Sequence, residues 1–302
     1  MRTIDALEKE IGMQLDLVAR FIPPRPIPVS RQSKSIFCGA GDSFASSLLA
    51  EAFSLHGTRA YDPLDLLKNK RLLAGRDLYL VSVSGNTSSN IKVALVHRRA
   101  VAITANTDSR LALACARTIP LKFNSTGLQT AGSISFLASV LTCICLVSGF
   151  RPTDAERLYR RAQREARNIL LRGKVFILGN LYTLPVAMFC AAKMYEVLGL
   201  DAHYERIEQF SHMELFSARR GDTVIVFEQR NMHNERLVKT LGKCGISAKR
   251  VEPGTRCPYE QVLFFIFLSE FLALYGARRK KRRDCFFVEE NKLQRASSSM
   301  IY

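Results

Sequence analysis

Two loops, one helix and the segment that follows it carry residues whose types and spacing could do chemistry. Ser82, Ser84 and Thr87 fall in "SVSGNT", directly after the apolar run "LYLV". Hydroxyls grouped at a helix start can surround a small phosphate with directed donors. The same residue types are also those that ordinary turns use. Gly41 and Ser43 stand in "GAGDS", where a glycine turn leads from an apolar stretch into a helical one. Such a turn lets backbone amides approach an anion, and an ordinary strand-helix junction capped by Asp42 needs the same residues. Neither loop matches the GxxxxGK[ST] phosphate loop or the full dinucleotide fingerprint. Lys193 and Glu196 are i,i+3 neighbours on one helix face, the spacing of an ion pair. His212 follows in "EQFSHME", and imidazole, carboxylate and cation are the groups that proton transfer uses.

These residues sit on a pattern that occurs twice. "KSIFCGAGDSFASSLLAEAF" is a short apolar strand, a glycine turn and a helix, and "GKVFILGNLYTLPVAMFCAAKMYEVLG" repeats that order. The turn glycines Gly39 and Gly179 mark the correspondence. A second one runs from Asp77 to Asn86 and from Asp222 to Asn231, each an acidic residue, an apolar strand and a polar helix start. The second copy keeps the asparagine and lacks all three hydroxyls. Hydroxyls needed only to make the turn would be wanted in both copies, so the asymmetry favours a phosphate site in the first. Strand and helix alternate throughout, which predicts doubly wound parallel sheets of the α/β class, with ligands at the carboxyl ends of strands.

The expected organisation is a helix and Pro-rich connector over residues 1–33, a first α/β subdomain over 34–150, a charged linker helix over 151–172 and a second subdomain over 173–302. A chain of 302 residues fits two compact units. Lys and Arg outnumber Asp and Glu by 44 to 27, for a formal charge of +17, which favours anionic partners without choosing among them. The run 278–283 (RRKKRR) lacks interleaved aromatics and reads as a solvated surface segment, not a nucleic-acid patch. The eight cysteines form no CxxC pair and no Cys/His cluster at zinc spacing. They read as reduced core residues of a cytoplasmic protein, and the N-terminus carries acidic residues where a secretory signal has an apolar core. The apolar stretches 134–150 and 262–275 are short for a bilayer span and predict buried helices, with no membrane partner.

A GxGxS turn followed by "SVSGNT" resembles the SIS (sugar isomerase) domain, two copies of which form phosphosugar isomerases and the isomerase half of glutamine-fructose-6-phosphate aminotransferases. The resemblance covers about residues 34 to 275. It implies two flavodoxin-like subdomains in tandem, with Gly41, Ser43, Ser82, Ser84 and Thr87 around a sugar phosphate. It also implies that Lys193, Glu196 and His212 are catalytic, matching a Lys-x-x-Glu at a helix end followed by a loop histidine. The implied reaction is aldose-ketose isomerisation of a hexose 6-phosphate. The histidine opens the sugar ring, the glutamate carries a proton between C1 and C2 through an enediolate, and the lysine offsets the oxyanion. No metal or organic cofactor is required, and the family implies a homodimer in which the histidine can come from the other subunit. Departures are His212-Met-Glu in place of His-Gly-Pro, and residues 125–130 (STGLQT) where phosphoglucose/phosphomannose isomerases carry an arginine. Amino-sugar phosphate deamination, which uses the same proton transfers, and non-catalytic sugar phosphate sensing are the alternative readings.

Overall fold

The computed structural model describes residues 1–55, 57–97, 99–150 and 155–302. Nine strands among them form two sheets: β1 (Ser35–Cys38), β2 (Arg59–Tyr61), β3 (Asp77–Val81), β4 (Val101–Thr104) and β5 (Arg117–Pro120), then β6 (Val175–Gly179), β7 (Ala202–Arg206), β8 (Thr223–Phe227) and β9 (Ser247–Val251). The strand orders are β2-β1-β3-β4-β5 and β7-β6-β8-β9. Every pairing is parallel, the doubly wound arrangement expected from the sequence. In each sheet the chain winds one way from the first strand and then crosses to its other side. The crossing puts a topological switch point between β1 and β3 in one sheet and between β6 and β8 in the other.

Alternation of side chains along the strands explains why both faces of the first sheet are covered. Ile36, Cys38, Leu78, Leu80 and Ala102 point to one core with Val93 and Leu111. Phe37, Tyr79, Val81 and Ile103 point to the other with Leu146 and Ala50. In the second sheet Phe176, Leu178, Val224 and Val226 pack with Ile207, Phe210 and Leu241. Phe227 stacks on Phe265 of the helix Pro258–Arg279, with ring centroids 4.5 Å apart. The repeated turn glycines have one cause. A Cβ on Gly39 would lie 2.7 Å from the Ser43 carbonyl carbon, and one on Gly179 would lie 2.7 Å from that of Thr183, so both turns fold back on their helices too closely for a side chain.

The two compact units interleave along the chain. Over their described residues, one holds Arg20–Ser125, Ile134–Arg151 and Asn291–Tyr302, and the other Met1–Ala19, Thr126–Ser133 and Pro152–Glu290. The lead segment thus groups with residues of the second sheet and the C-terminal segment with residues of the first. The lead helix Thr3–Arg20 is held in the second unit by Glu10 and Gln14, whose amide donates to Glu270 at 2.7 Å. The C-terminal helix Asn291–Ile301 belongs to the first, where the Ile301 carbonyl accepts from Ser88 Oγ at 2.9 Å. The expected linker helix starts in residues 151–154, outside the described residues. Its described part, Ala155–Arg167, buries Leu158, Ala162 and Ala166 on one stripe and packs against the helix 258–279 within its own unit. There Tyr159 meets Phe267 and Phe271 edge-on.

Both long apolar stretches form buried helices, Ile134–Ser148 and Pro258–Arg279. The second is long and apolar enough to cross a bilayer, yet 83% of its apolar window is buried inside the protein. All eight cysteines are unpaired. Burial pushes the Cys145 and Cys190 thiols up to about 12, so these two are inert core groups.

Candidate functional site

Both proposed phosphate loops emerge at the first switch point, because the carboxyl ends of β1 and β3 are paired there, Cys38 against Leu80. After β3 the chain is held tightly. Ser82 is buried, its amide donates to the Ile103 carbonyl at 3.0 Å, and its Oγ accepts from the Gly85 amide at 3.2 Å. Ser82 Oγ and Thr87 Oγ1 are 3.1 Å apart, and the Asn86 amide donates to Ser84 Oγ at 3.3 Å. Gly85 has φ +65°, and a Cβ on it would overlap Ser109 Oγ at 2.0 Å. Asn90 ties the following helix back by donating to the Val81 carbonyl at 2.9 Å. The loop thus brings Ser82 and Thr87 together by direct contact, with Ser84 between them.

Two helices start at this end of the sheet, Asp42–Phe53 and Ser88–Val96, and neither has a side-chain cap. Their first amides, with the helix dipole behind them, favour a negative ligand. Gly41 is the N-cap of the first, at φ +57° and ψ −129°, and Ser43 lies in its first turn. Asp42 is helical and does not cap it. Thr87 occupies the N-cap position of the second helix without a side-chain bond to it, and Ser88 and Ser89 lie within the helix.

At the second switch point the strand register corrects the sequence correspondence by one residue. Ser35 pairs with Asp77 and Val175 with Thr223, so Thr223, not Asp222, is the counterpart of Asp77. Glu228 then stands where Ser82 stands in the first sheet. It accepts from Asn180 Nδ2 at 3.3 Å, and burial holds its carboxyl above the usual range against that hydrogen bond. Asn231 caps its helix reciprocally with Asn234. A carboxylate at this position repels phosphate, so the asymmetry between the two loops is one of charge as well as of missing hydroxyls.

Lys193 and Glu196 lie on the helix Leu184–Leu198, where Pro185 occupies the first turn. The Lys193 side chain is 1% exposed and Glu196 is 37% exposed, with Nζ 2.5 Å from Oε2. Nζ also lies 4.8 Å from the centre of the Phe189 ring. The exposed ion pair that spacing alone suggests is instead a buried cation beside an accessible carboxylate. His212 ends the short helix Ile207–His212, 68% exposed, with Nε2 3.1 Å from Glu208 Oε1. Glu208, and not Glu196, is its carboxylate partner among the described residues.

Sequence reasoning missed three carboxylates. Glu10 is buried and accepts four hydrogen bonds, from the Thr126 amide and the hydroxyls of Thr126, Thr130 and Ser133. The run of hydroxyls at 125–133 was the signal for such an acceptor, but nothing in the sequence pointed it to a residue on the lead helix. Glu214 bonds His203 Nδ1 at 2.8 Å, and burial raises its carboxyl while His203 opposes the shift. Glu228 was hidden by the one-residue register error.

No family model matches the chain, and no curated protein sequence matches it. Solved structures do. Glucosamine-6-phosphate deaminase from Thermotoga maritima superposes with TM-score 0.74 at 17% identity, over 94% of this chain and 96% of that one. Tagatose-6-phosphate ketose/aldose isomerase from Escherichia coli gives 0.69 at 17%, over 93% and 90%. The C-terminal domain of glucosamine-fructose-6-phosphate aminotransferase from Francisella tularensis gives 0.61 at 12%, over 91% and 94%. The chain therefore has the SIS fold, with two doubly wound parallel sheets in tandem.

Proposed function

We propose that the protein is a cytoplasmic phosphosugar isomerase that interconverts the aldose and ketose forms of a hexose 6-phosphate and works as a homodimer. The observation that carries this reading is the Lys193–Glu196 pair, a buried ammonium 2.5 Å from a carboxylate that remains accessible. In the reaction Glu196 takes the proton from C2 of the open-chain aldose, the electron pair forms the C1–C2 enediolate, the O2 hydroxyl proton passes to O1, and the same carboxyl returns its proton to C1 as the C2 carbonyl forms. The positive charge of Lys193 offsets the negative charge that grows on the sugar oxygens. His212 moves the proton that opens the ring, a task suited to imidazole at neutral pH. Ser43, Ser82, Ser84 and Thr87 hold the phosphate with the amides that begin at Gly41, and the chemistry needs no metal or organic cofactor.

Turnover of a panel of hexose 6-phosphates tests the reading, with ketose formation measured directly. Ketose from at least one aldose is expected, and a panel without turnover overturns it. The similarity to a structure named as a glucosamine-6-phosphate deaminase favours one second reading, deamination of an amino-sugar phosphate by the same proton transfers. Ammonia release from glucosamine 6-phosphate distinguishes it. A sugar phosphate sensor binds the panel and turns over none of it.

A further inference from the structure

The amino ends of the first sheet, opposite the phosphate loops, carry a row of basic residues. Lys34 precedes β1, Arg76 precedes β3, Arg99 lies two residues before β4, and Arg117 begins β5. β1, β3, β4 and β5 are consecutive neighbours, so the row advances by roughly 5 Å per strand. Arg31 sits beside it, with its fork on both oxygens of Asp77 at 2.8 Å.

These residues surround two cavities that share Arg31, Asp77 and Arg99, one of about 560 Å³ and one of about 710 Å³. Four arginines line the first, Arg25, Arg31, Arg99 and Arg117, against the single carboxylate of Asp77. Its floor is apolar, from Ile27, Val101 and Leu146, and the buried Tyr79 lines it beside Arg117. Tyr79 is fixed from behind by stacking on Phe37, with centroids 4.9 Å apart. Lys34, Arg76 and His97 line the second cavity, and the buried His97 Nε2 has no hydrogen-bond partner among the described residues.

The other concentration of positive charge behaves differently. Within 278–283, Arg278 pairs with Asp5 at 2.9 Å and with Glu8, Arg279 donates to the carbonyls of Ile169 and Arg167, and Arg282 pairs with Glu289. Those arginines are used by the fold. Lys34, Arg76 and Arg99 make no ion pair among the described residues.

We propose that this groove is a second anion site, for an organic polyphosphate such as a nucleoside polyphosphate. Its phosphate chain lies along the arginine row and its ring on the apolar floor. Several charges in a line match the strand spacing better than one phosphate, and the bidentate forks of arginine suit phosphate oxygens. The site lies at the opposite end of the strands from Ser82 and Thr87, so the two are separable by mutation.

Titration calorimetry with metal-free ATP, tripolyphosphate and AMP on the full chain tests this. ATP is expected to bind more tightly than either of the others. Arg99→Glu with Arg117→Glu should weaken ATP at least tenfold, while Ser82→Ala with Thr87→Ala leaves it within twofold. Both pairs are checked for native circular dichroism, and the milder Arg99→Gln with Arg117→Gln replaces the first should it not fold. The same charge change at the exposed Arg236 and Lys243 should weaken ATP less than threefold. Absence of ATP binding at millimolar concentration overturns the proposal. So does an equal loss from the distant charge pair, or a loss that follows Ser82 and Thr87 instead of the arginines.

Discussion

The ammonium of Lys193 is buried to 1% exposure and lies 2.5 Å from the carboxylate of Glu196, which keeps 37% of its surface. An ion pair on a solvated helix face is nearly dispensable, but a buried ammonium fixes its partner in place. Glu196→Gln keeps the shape and removes the proposed base. Its turnover on the best substrate is expected to fall by about 10² to 10⁴, the usual contribution of a general base, with sugar phosphate affinity unchanged within a few fold. Steady-state kinetics with direct binding measurements checks both halves of this expectation.

The loop after β3 makes a separate prediction about shape. Gly85→Ala introduces a Cβ at φ +65°, on top of Ser109. It should cost about 2 kcal/mol or more, from the left-handed backbone and the overlap together. Gly75→Ala, at φ +68° with nothing within 4 Å of the new atom, should cost about 1 kcal/mol. Urea denaturation of the two variants separates the contributions.

Glu10 should be a stability residue. Glu10→Ala leaves the hydroxyls of Thr126, Thr130 and Ser133 and one amide without their acceptor. A loss of about 3 kcal/mol is expected, since hydrogen bonds to a charged group are stronger than neutral ones. Proteolysis within residues 126–133 should rise with it, which limited digestion would detect.

Glu228 gives a pH dependence with a definite sign. Burial raises its carboxyl in the folded protein above the value of 4.5 that it has in an open chain. The folded state therefore holds its proton more tightly. That contribution to stability is complete below the unfolded value and is lost as pH rises through the folded one. Glu228→Gln should remove this part of the dependence and raise the melting temperature at pH 7 relative to pH 4. Thermal melts across that range check it.

Much of the fold was legible because strand-turn-helix order and apolar alternation are local properties. The close approach of Gly39 to Ser43 and of Gly179 to Thr183 has the same origin in both halves, so the glycines mark the repeat that the order of strand, turn and helix shows. Register was less legible. The acidic residues Asp77 and Asp222 invited a match that hydrogen bonding between strands replaces with Thr223, and that shift is what brings Glu228 to the place of Ser82. Interleaving of the two units was not legible, since it depends on Glu10 and Gln14 finding partners more than a hundred residues away. In the candidate site, the contact of Ser82 with Thr87 and the neighbourhood of Lys193 with Glu196 followed from spacing. Burial of the lysine, which changes the meaning of that pair, did not.

In the proposed reaction Glu196 moves a proton between C1 and C2 of a sugar phosphate. Solvent deuterium exchange tests it most directly, with proton magnetic resonance of each hexose and aminohexose 6-phosphate incubated with the protein in D₂O. Deuterium is expected at C1 or C2 of at least one sugar with the native protein and at neither with Glu196→Gln. Exchange that survives the substitution undiminished, or no exchange into any sugar of the panel, would contradict it.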